Sequence, residues 1–462
     1  MPKTTTSSLL SLAALTLGPL LHAQTPPATP ALPAVGKVLS DLQEDPELRN
    51  TLVGFSLLDD KGNVVASHNA ELSLIPASTL KTITTATALE ILGPDFTFPT
   101  ELRATAPIDD DGTLPGNIII KGGGDPTLAM RHLRAWVKEL KKQGLKKITG
   151  RVIGDATFFP ETIAGDFWDW SDVGSGYGAS AAGLNLNHNR YTAHFQAGPK
   201  VVEPARFLNT TPELPNVTFT NRVTTSSPKS GDQVSVFGGP FATVIHFHGT
   251  IPLGSTDFPI DGAIPDPALF TAHHLDRLLR SAGITTDVKP TASYHRTTPA
   301  AHLLHTHLSE PLSKIIPHIH DVSDNHEAEC LYRLLGVKAN RPATDAILAH
   351  WKSRKLELPS LRLVDGSGLG RANTISAHDL ARLQLVIRQG PHGDFYRQSL
   401  VAGMDGQLRY KSGAMSGIHT FTGFVKSQSG PEYSFALFFN HAHDRHSSTT
   451  WSNKLLRAVT AL

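Results

Sequence analysis

The chain has 462 residues, a length that exceeds one typical domain and predicts two or three. Hydrophobic residues make up 40% of it, with 38 glycines and 32 prolines, which is typical of a globular protein and unlike a fibrous or disordered one. Its 42 basic residues nearly balance its 41 acidic ones, so the charge gives no reason to expect a nucleic-acid partner.

The N-terminus has the pattern of a cleavable secretory signal peptide over residues 1–23. Lys3 supplies the positive end, residues 9–21 form an apolar core, and Ala23 ends a suitable cleavage site. The core is too short to span a membrane, and no later apolar run is longer. Residues 24–35 are rich in proline and alanine, which predicts a flexible leader.

The number and position of the cysteines bear on disulfide formation and on lipid anchoring. The single cysteine, Cys330, excludes an internal disulfide, and no cysteine near residue 23 could carry a lipid anchor. We therefore predict a periplasmic protein without a transmembrane segment in the mature chain. The alternative is that residues 9–21 are the buried start of a cytoplasmic protein.

The first predicted elements are a helix over residues 38–48 and a hairpin with strands 53–58 and 63–68. They precede a helix that begins with a candidate nucleophile. This helix begins at Ser78 and ends at Gly93, because glycine followed by proline stops a helix. Ser78 and Lys81 are three positions apart, so the hydroxyl and the amine lie on one helix face, as a nucleophile and its base require.

A long segment separates this helix from a second candidate motif, Ser323-Asp324-Asn325. The separation is 323 − 78 = 245 positions, far more than one helical subdomain needs. Strand-like stretches indicate that residues 98–297 form two inserted β-rich domains, the second nested in the first at roughly 185–255. The catalytic domain is then discontinuous and consists of residues 36–97 and 298–462.

A third motif, Lys411-Ser412-Gly413, lies in a strand-like stretch over residues 407–414. Strands over 421–425 and 433–439 follow, and the edge of such a sheet can pair with an extended peptide. An amphipathic helix with apolar Trp451, Leu455, Leu456 and Val459 closes the chain.

Residues 226–231 contain sequences that imitate the first and third motifs. Pro228 and its neighbours predict a hairpin turn there rather than a helix start.

Taken together, the three motifs match the active-site set of the penicillin-binding proteins and serine β-lactamases. The chain most resembles the class C low-molecular-mass penicillin-binding proteins, the D-alanyl-D-alanine carboxypeptidase/endopeptidases, which have a long insertion after the first motif. Residues 122–128, 154–159, 185–187 and 365–371 also match that family. Two departures are Ser412, where threonine is commoner, and Gly370, where serine is usual.

This resemblance implies an α+β fold and a serine-type hydrolase. The fold is a serine β-lactamase/transpeptidase-like domain, an antiparallel sheet flanked by helices, with two inserted β-rich domains. The enzyme would cleave peptidoglycan stem peptides through a Ser78 acyl-enzyme and bind penicillin and other β-lactams covalently. The alternatives are a β-lactamase of the same fold, which needs a second base for fast deacylation, and a non-catalytic exported wall-binding protein.

The motifs also predict a role for each residue. Lys81 is the base for Ser78, Asn325 holds Lys81 and the substrate amide, and Ser323 relays the proton. Lys411 and Ser412 hold the terminal carboxylate of the substrate. By resemblance, Gly413 and Ala414 belong to the substrate-binding strand, and the N–H groups of Ser78 and Ala414 form the oxyanion hole. Asp155 and Arg371 fall at family positions associated with the stem-peptide side chain, and a capping aspartate and a surface arginine are their alternatives.

No cofactor and no metal are predicted for this chemistry. Four histidine pairs have a spacing that could bind a metal on strands, namely His246/His248, His305/His307, His318/His320 and His441/His443. No cysteine or acidic pattern accompanies them, so we interpret them as surface histidines.

Overall fold

The structure is a computed structural model that describes residues 32–159, 163–297 and 299–462. The predicted signal peptide (1–23) and most of the predicted leader (24–35) lie outside the described residues. The first helix begins at Pro33, so the last three leader positions form its first turn. Proline suits this position because its φ is already helical and the first turn does not use its missing N–H.

The described residues form eleven α-helices. Their bounds are α1 Pro33–Glu44, α2 Lys81–Leu92, α3 Met130–Lys142, α4 Trp170–Val173, α5 Pro267–Ser281, α6 Leu312–Val322, α7 Asn325–Ala339, α8 Ala343–Ser353, α9 Ala377–Arg388, α10 Gly393–Ser399 and α11 Arg445–Thr460.

The same residues form twenty-two strands. Their bounds are β1 Leu52–Leu58, β2 Val64–His68, β3 Ser73–Leu74, β4 Pro99–Ala104, β5 Thr113–Leu114, β6 Ile118–Lys121, β7 Lys147–Ile148, β8 Val152–Asp155, β9 Arg190–Gln196, β10 Arg206–Thr211, β11 Thr218–Ser226, β12 Ser235–Phe237, β13 Val244–Pro252, β14 Phe258–Ala263, β15 Thr285–Thr286, β16 Thr291–Ser293, β17 His302–Leu308, β18 Ile375–Ser376, β19 Val401–Gly403, β20 Leu408–Met415, β21 Ile418–Lys426 and β22 Glu432–Asn440.

A six-stranded antiparallel sheet with the order β19-β20-β21-β22-β1-β2 organises the predicted catalytic domain. Strands β1 and β22 are buried along almost their whole length, as expected of strands covered on both faces. One apolar core joins this sheet to α1 and α11, and a second joins it to α2, α7 and α9. The predicted antiparallel sheet flanked by helices is therefore confirmed.

The closing helix packs as its sequence pattern predicts. Trp451, Leu455, Leu456 and Val459 of α11 are all buried, in the same core as Val35 of α1. Apolar residues at this spacing fall on one face of a helix, so that face covers the sheet while the opposite face meets water.

The inserted region contains a five-stranded mixed sheet with the order β16-β8-β6-β4-β17. Leu133 and Trp136 of α3 belong to the same apolar core as Ile118 and Ile120 of β6. Strand β17 pairs antiparallel with β4, although β17 lies beyond residue 297. The predicted division into domains stays a prediction, and this pairing favours an end of the insertion near residue 308.

A second group of strands, β9 to β14, corresponds to the predicted nested segment. It forms two three-stranded sheets, β10-β9-β14 and β11-β13-β12. The rings of Phe195, Phe207, Phe219 and Phe247 pack between them with centroids 4.9 to 5.7 Å apart. Aromatic pairs at such distances are stabilising beyond the area that they bury.

The predicted hairpin turn at residues 226–231 is wrong. Strand β11 ends at Ser226 and pairs in parallel with β13, whereas β12 pairs antiparallel with the other edge of β13. The two strands that flank the turn are therefore not neighbours, since β13 lies between them. The imitation motif is still not on a helix, as the sequence indicated.

Candidate active site

Ser78 lies in a tight turn that leads into α2. The residues Ala77–Leu80 form a single 3-10 turn, and the α-helix begins at Lys81, three residues later than predicted. Ala77 has a φ of +47°, which is uncommon for a residue with a side chain. The hydroxyls of Thr79 and Thr420 both donate to the Pro76 carbonyl, at 2.7 and 2.6 Å, and hold this turn in place.

Lys81 is fully buried and touches three groups. Its Nζ lies 2.8 Å from Ser78 Oγ, 2.6 Å from Asn325 Oδ1 and 2.7 Å from the Ser367 carbonyl oxygen. Burial, reinforced by the positive charge of Lys411, lowers the pKa of Lys81 to about 7. A large fraction of this amine is therefore neutral at neutral pH.

The three contacts define where the lone pair of the neutral amine points. The Asn325 amide is fixed because its Nδ2 donates to the Tyr177 carbonyl at 2.8 Å, which leaves Oδ1 facing Lys81. A neutral amine has two N–H groups and one lone pair, and two of its three neighbours are carbonyl oxygens that can only accept. Both N–H groups therefore go to Asn325 and Ser367, and the lone pair faces the Ser78 hydroxyl.

The second motif occupies the sharp turn between α6 and α7. Ser323 ends α6 in the left-handed conformation, with φ 61° and ψ 38°. Asp324 caps α7, since its side chain accepts a hydrogen bond from the Glu327 N–H at 2.9 Å. Asn325 is the first helical residue of α7. This turn directs Ser323 to Lys411 and Asn325 to Lys81.

Lys411 lies on β20, where the sequence predicted a strand. Its Nζ donates to Ser323 Oγ and to the Ser412 carbonyl, both at 2.9 Å. Burial lowers the pKa of Lys411 to about 8. Gly413 allows β20 to approach Ser78, because a Cβ at this position would be 2.8 Å from the Ser78 nitrogen.

The outer edge of β20 offers backbone groups beside Ser78. Strand β19 pairs only with residues 408–410, so within the described ranges the edge over residues 411–415 has no strand partner. Ser412 and Ala414 on this stretch are exposed. An extended peptide could add to such an edge through its own backbone hydrogen bonds.

Two buried carboxylates support the backbone behind Lys81. Glu329 accepts hydrogen bonds from the N–H groups of Gly366 and Ser367, at 2.8 and 2.9 Å. Asp365 accepts from the Trp168 indole at 2.9 Å and from neighbouring backbone N–H groups. Burial and the adjacent Asp365 raise the pKa of Glu329. Sequence reasoning missed Glu329, although its position four residues after Asn325 on a helix was an available signal.

Arg371 lies beside the end of β20. Its guanidinium is 3.3 Å from Asp169 and 3.4 Å from the Ser416 carbonyl oxygen. Burial raises the pKa of Asp172, and the positive charge of nearby Arg371 acts in the opposite direction. The Tyr177 hydroxyl donates to Asp172 at 3.0 Å. Sequence reasoning missed these aspartates and Tyr177, although an aromatic residue in a glycine-rich run was a usable signal.

Asp155 is not brought to this site. It ends β8 in the mixed sheet of the inserted region and is only 1% exposed. Its carboxylate accepts from the N–H and the hydroxyl of Thr157, at 3.0 and 2.6 Å. Asp155 Oδ1 therefore caps its own turn, whereas Oδ2 is buried without a partner, and the substrate contact predicted for Asp155 stays a prediction.

The histidine pairs singled out in the sequence do not form a metal-ligating group within the part of the chain that the structure describes. His246 and His248 are exposed on β13 as expected, but His320 is buried against the Thr85 and Ser399 hydroxyls, so its interpretation as a surface histidine is wrong. The one group that brings three or more potential ligands together there consists of His188, Asp324 and His326. It lies beside the second motif, and sequence spacing alone could not indicate it.

A large cavity adjoins the second motif. It has a volume of about 710 Å³, and Tyr177, Arg190, Ser235, Asp261 and Asn325 are among the residues that line it. The inserted region therefore contributes part of the wall beside the active-site turn. Among the described residues, no helix is long and apolar enough to cross a membrane.

Comparisons with known proteins agree with this geometry. The model of the D-Ala-D-Ala carboxypeptidase 3 (S13) family matches residues 35–461. The D-alanyl-D-alanine carboxypeptidase DacB of Haemophilus influenzae is 27% identical over 442 residues, covering 89% of this chain and 90% of that protein. The D-alanyl-D-alanine carboxypeptidase of Actinomadura sp. (strain R39) is 28% identical over 473 residues, covering 93% of this chain and 86% of that protein.

A solved structure supports the fold. The crystal structure of penicillin binding protein 4 (dacB) from Haemophilus influenzae matches with a TM-score of 0.81 and 23% identity, covering 93% of this chain and 99% of that one. The family match spans nearly all the described residues, and the expected nucleophile, base and strand meet at one place. The chain therefore belongs to the D-Ala-D-Ala carboxypeptidase 3 (S13) family and is a serine-type D-alanyl-D-alanine carboxypeptidase, as its motifs predicted.

Proposed function

We propose that Ser78 is the nucleophile that forms the acyl-enzyme and that Lys81 is its base. The observation that carries this proposal is the arrangement around Lys81 Nζ, in which two carbonyl oxygens take the N–H groups and the lone pair faces Ser78 Oγ at 2.8 Å. Ser78 attacks the carbonyl of the penultimate D-alanine, and its proton passes to Lys81. The N–H groups of Ser78 and Ala414 stabilise the oxyanion that develops.

Ser323 and Lys411 complete the proton path and the recognition of the substrate. Ser323, 2.9 Å from Lys411 Nζ, gives its hydroxyl proton to the leaving amine of the terminal D-alanine and receives in exchange the proton that Lys81 removed from Ser78, so that both side chains return to their starting state. Protonated Lys411 and the Ser412 hydroxyl attract the free carboxylate of that residue. Release of D-alanine leaves an ester on Ser78, and water then hydrolyses it.

The substrates are the stem peptides of peptidoglycan. The enzyme acts on them in the periplasm after its export. The peptide adds to the free edge of β20, and Arg371 with Asp169 and Asp172 faces its third side chain. Opposite charges at one site suit a side chain that ends in both an amine and a carboxylate.

β-Lactams enter the same site and acylate Ser78. A second structure of the Haemophilus influenzae protein is a complex with a β-lactam, at a TM-score of 0.74 and 23% identity. Glu329 and Asp365 are both occupied by backbone N–H groups, so neither is free to activate a deacylating water. The β-lactam ester is therefore long-lived, which argues against the β-lactamase alternative.

Cross-linked peptides are the second substrate that we propose. The 710 Å³ cavity between Asn325 and the inserted strands offers room beyond the terminal D-alanine for the second stem of a cross-link. We also propose a division into domains. Residues 98–308 form the inserted modules, and the rest of the mature chain forms the catalytic domain.

The test measures two products from the purified mature chain. We expect D-alanine release from a pentapeptide and cleavage of a D-alanyl cross-linked dimer, both lost in Ser78→Ala and retained in Ser226→Ala, the serine of the imitation motif. Release of D-alanine from the pentapeptide without cleavage of the cross-linked dimer would contradict the proposed endopeptidase activity. Full activity of Ser78→Ala on both substrates would overturn the assignment of the nucleophile.

A further inference from the structure

A group of histidines and carboxylates beside the second motif has no place in the reaction described above. One potential ligand atom from each of His188, Asp324 and His326 lies within 4.8 Å of the other two. His326 is fully buried, Asp324 is 3% exposed, and His188 is half-buried. Glu327 is adjacent, with Oε1 3.9 Å from His188 Nδ1.

Two nitrogens of this group lack hydrogen-bond partners. The Nδ1 atoms of His188 and His326 are both buried from solvent without a partner. The Asp324 carboxylate is 3.5 Å from His188 Nδ1, too far for a good hydrogen bond. A buried polar atom without a partner costs about 1 to 3 kcal/mol. Two buried ring nitrogens without partners, in a group that also contains a carboxylate, indicate that a ligand belongs among them.

The backbone around His188 is held in a rare conformation that presents this side chain. Asn187, His188 and Asn189 all have positive φ, at 52°, 53° and 52°. The Asn189 amide donates to the Ser180 carbonyl at 2.8 Å and to Asn185 Oδ1 at 2.7 Å, which fixes the segment. The family-like segment over residues 185–187 has no catalytic task of its own, so positioning His188 against α7 is a role for it.

We propose that His188, Asp324 and His326 bind a divalent transition-metal ion of the Zn²⁺ class, with water in the fourth position. Two imidazoles with a carboxylate form a ligand set typical of Zn²⁺, whereas Mg²⁺ and Ca²⁺ prefer oxygen ligands only. Tetrahedral bonds of about 2.0 to 2.2 Å place ligand atoms roughly 3.4 Å apart. His188 Nδ1 and Asp324 Oδ2, which are 3.5 Å apart, already have this spacing.

The neighbouring side chains form an outer shell for this site. The His318 ring is 2.8 Å from Glu327 Oε2, which orients that carboxylate. Arg190 is 3.0 Å from Asp324 Oδ2, so the Asp324 carboxylate would contact both the Arg190 guanidinium and the ion. Both Arg190 and Asp324 line the 710 Å³ cavity, which provides access from solvent.

One tautomer of His326 suits metal binding. Its Nε2 lies 3.2 Å from the Asn189 amide nitrogen, whose two hydrogens already go to the Ser180 carbonyl and Asn185 Oδ1. Coordination through Nδ1 requires the Nε2–H tautomer, whose hydrogen is directed to Cys330 Sγ at 3.8 Å. Since Asp324 and His326 flank Asn325 in the chain, an ion held by both would fasten the turn that positions Lys81.

The experiment titrates the metal-free full chain with Co²⁺ as a spectroscopic probe and with Zn²⁺ in a calorimeter. We expect one ion per chain, visible absorption typical of a four-coordinate cobalt site, and a raised melting temperature. His188→Ala should weaken binding at least about tenfold. The matched control is His246→Ala, which removes an exposed histidine of β13 and should leave the affinity unchanged.

His326→Gln is the second variant and should also lose the ion. Acylation by a fluorescent penicillin, measured without metal, reports whether each variant is folded and whether the catalytic proposal holds independently. Failure of the wild-type chain to bind either ion at millimolar concentration would overturn the metal site. Undiminished binding by His188→Ala, with penicillin acylation intact, would overturn it equally, because the ion would then lie elsewhere.

Discussion

Lys411 Nζ lies 2.9 Å from Ser323 Oγ, across 88 positions of sequence, and this contact joins the second and third motifs. Lys81 joins the first motif to the second through Asn325. The two lysines therefore reach the same turn from opposite elements, a helix and a strand. Burial, reinforced by the positive charge of Lys411, lowers the pKa of Lys81, as the role of base proposed for it requires.

Removing the Ser323 hydroxyl should interrupt proton delivery. We expect Ser323→Ala to lower D-alanine release from a pentapeptide by about a hundredfold to ten thousandfold, the usual contribution of a positioned proton donor. The measurement is kcat/KM for release of D-alanine. Lys229→Ala in the imitation motif is the control and should retain wild-type activity, because that lysine is exposed and has no part in the proposed proton path. A loss of less than threefold in Ser323→Ala would contradict the proposed relay.

The two lysines predict a narrow pH optimum. Lys81 acts as a base only when neutral, so the rate of acylation should rise with pH through its pKa of about 7. Lys411 attracts the substrate carboxylate only when protonated, so the rate should fall above its pKa of about 8. Stopped-flow acylation by a penicillin across pH 5 to 10 gives the profile of the coupled pair. A rate that keeps rising to pH 10 would contradict a neutral Lys81 base.

Gly413 should be intolerant of even one methyl group. In Gly413→Ala the Cβ would be 2.4 Å from Thr420 Oγ1 and 2.8 Å from both Pro76 O and Ser78 N. Relieving such contacts typically costs about 1 to 3 kcal/mol, so we expect acylation to slow by about tenfold or more. Gly239→Ala is the matched control, since its Cβ would come no closer than 3.5 Å to another atom. Equal acylation rates in the two variants would contradict the close approach of β20.

Arg371 should distinguish peptide substrates from small β-lactams. Losing a charged hydrogen bond typically costs about 1.5 to 3 kcal/mol, so Arg371→Ala should raise KM for a stem peptide with a zwitterionic third side chain about tenfold to a hundredfold. Acylation by a small penicillin, which lacks that side chain, should change by less than about threefold. Measuring both reactions on one preparation separates recognition from folding. Parallel losses in both would instead indicate that Arg371 supports the site structurally.

Local sequence patterns were sufficient for the catalytic elements. The spacing of Ser78 and Lys81, the helix stop at Gly93 and the strand character around Lys411 are all properties of contiguous residues. Each depends on dihedral preferences and periodicity, which a single sequence carries. The apolar face of α11 was predictable for the same reason.

Relationships between distant segments were beyond local patterns. The Tyr177 carbonyl orients the Asn325 amide from 148 positions away, and no sequence spacing encodes that contact. Asp155 follows a strand of the inserted region as expected, but the sequence does not say which strands pair with it. The hairpin at residues 226–231 failed likewise, because the partner of both flanking strands, β13, comes later in the chain.

The most direct test of the catalytic assignment is the site of penicillin attachment. The mature chain is incubated with a fluorescent penicillin, digested, and mapped by mass spectrometry, alongside Ser78→Ala and Ser226→Ala. We predict one adduct per chain on the peptide that contains Ser78, absent in Ser78→Ala and undiminished in Ser226→Ala. An adduct on any other residue of the native chain, or an adduct that persists in Ser78→Ala, would contradict the account.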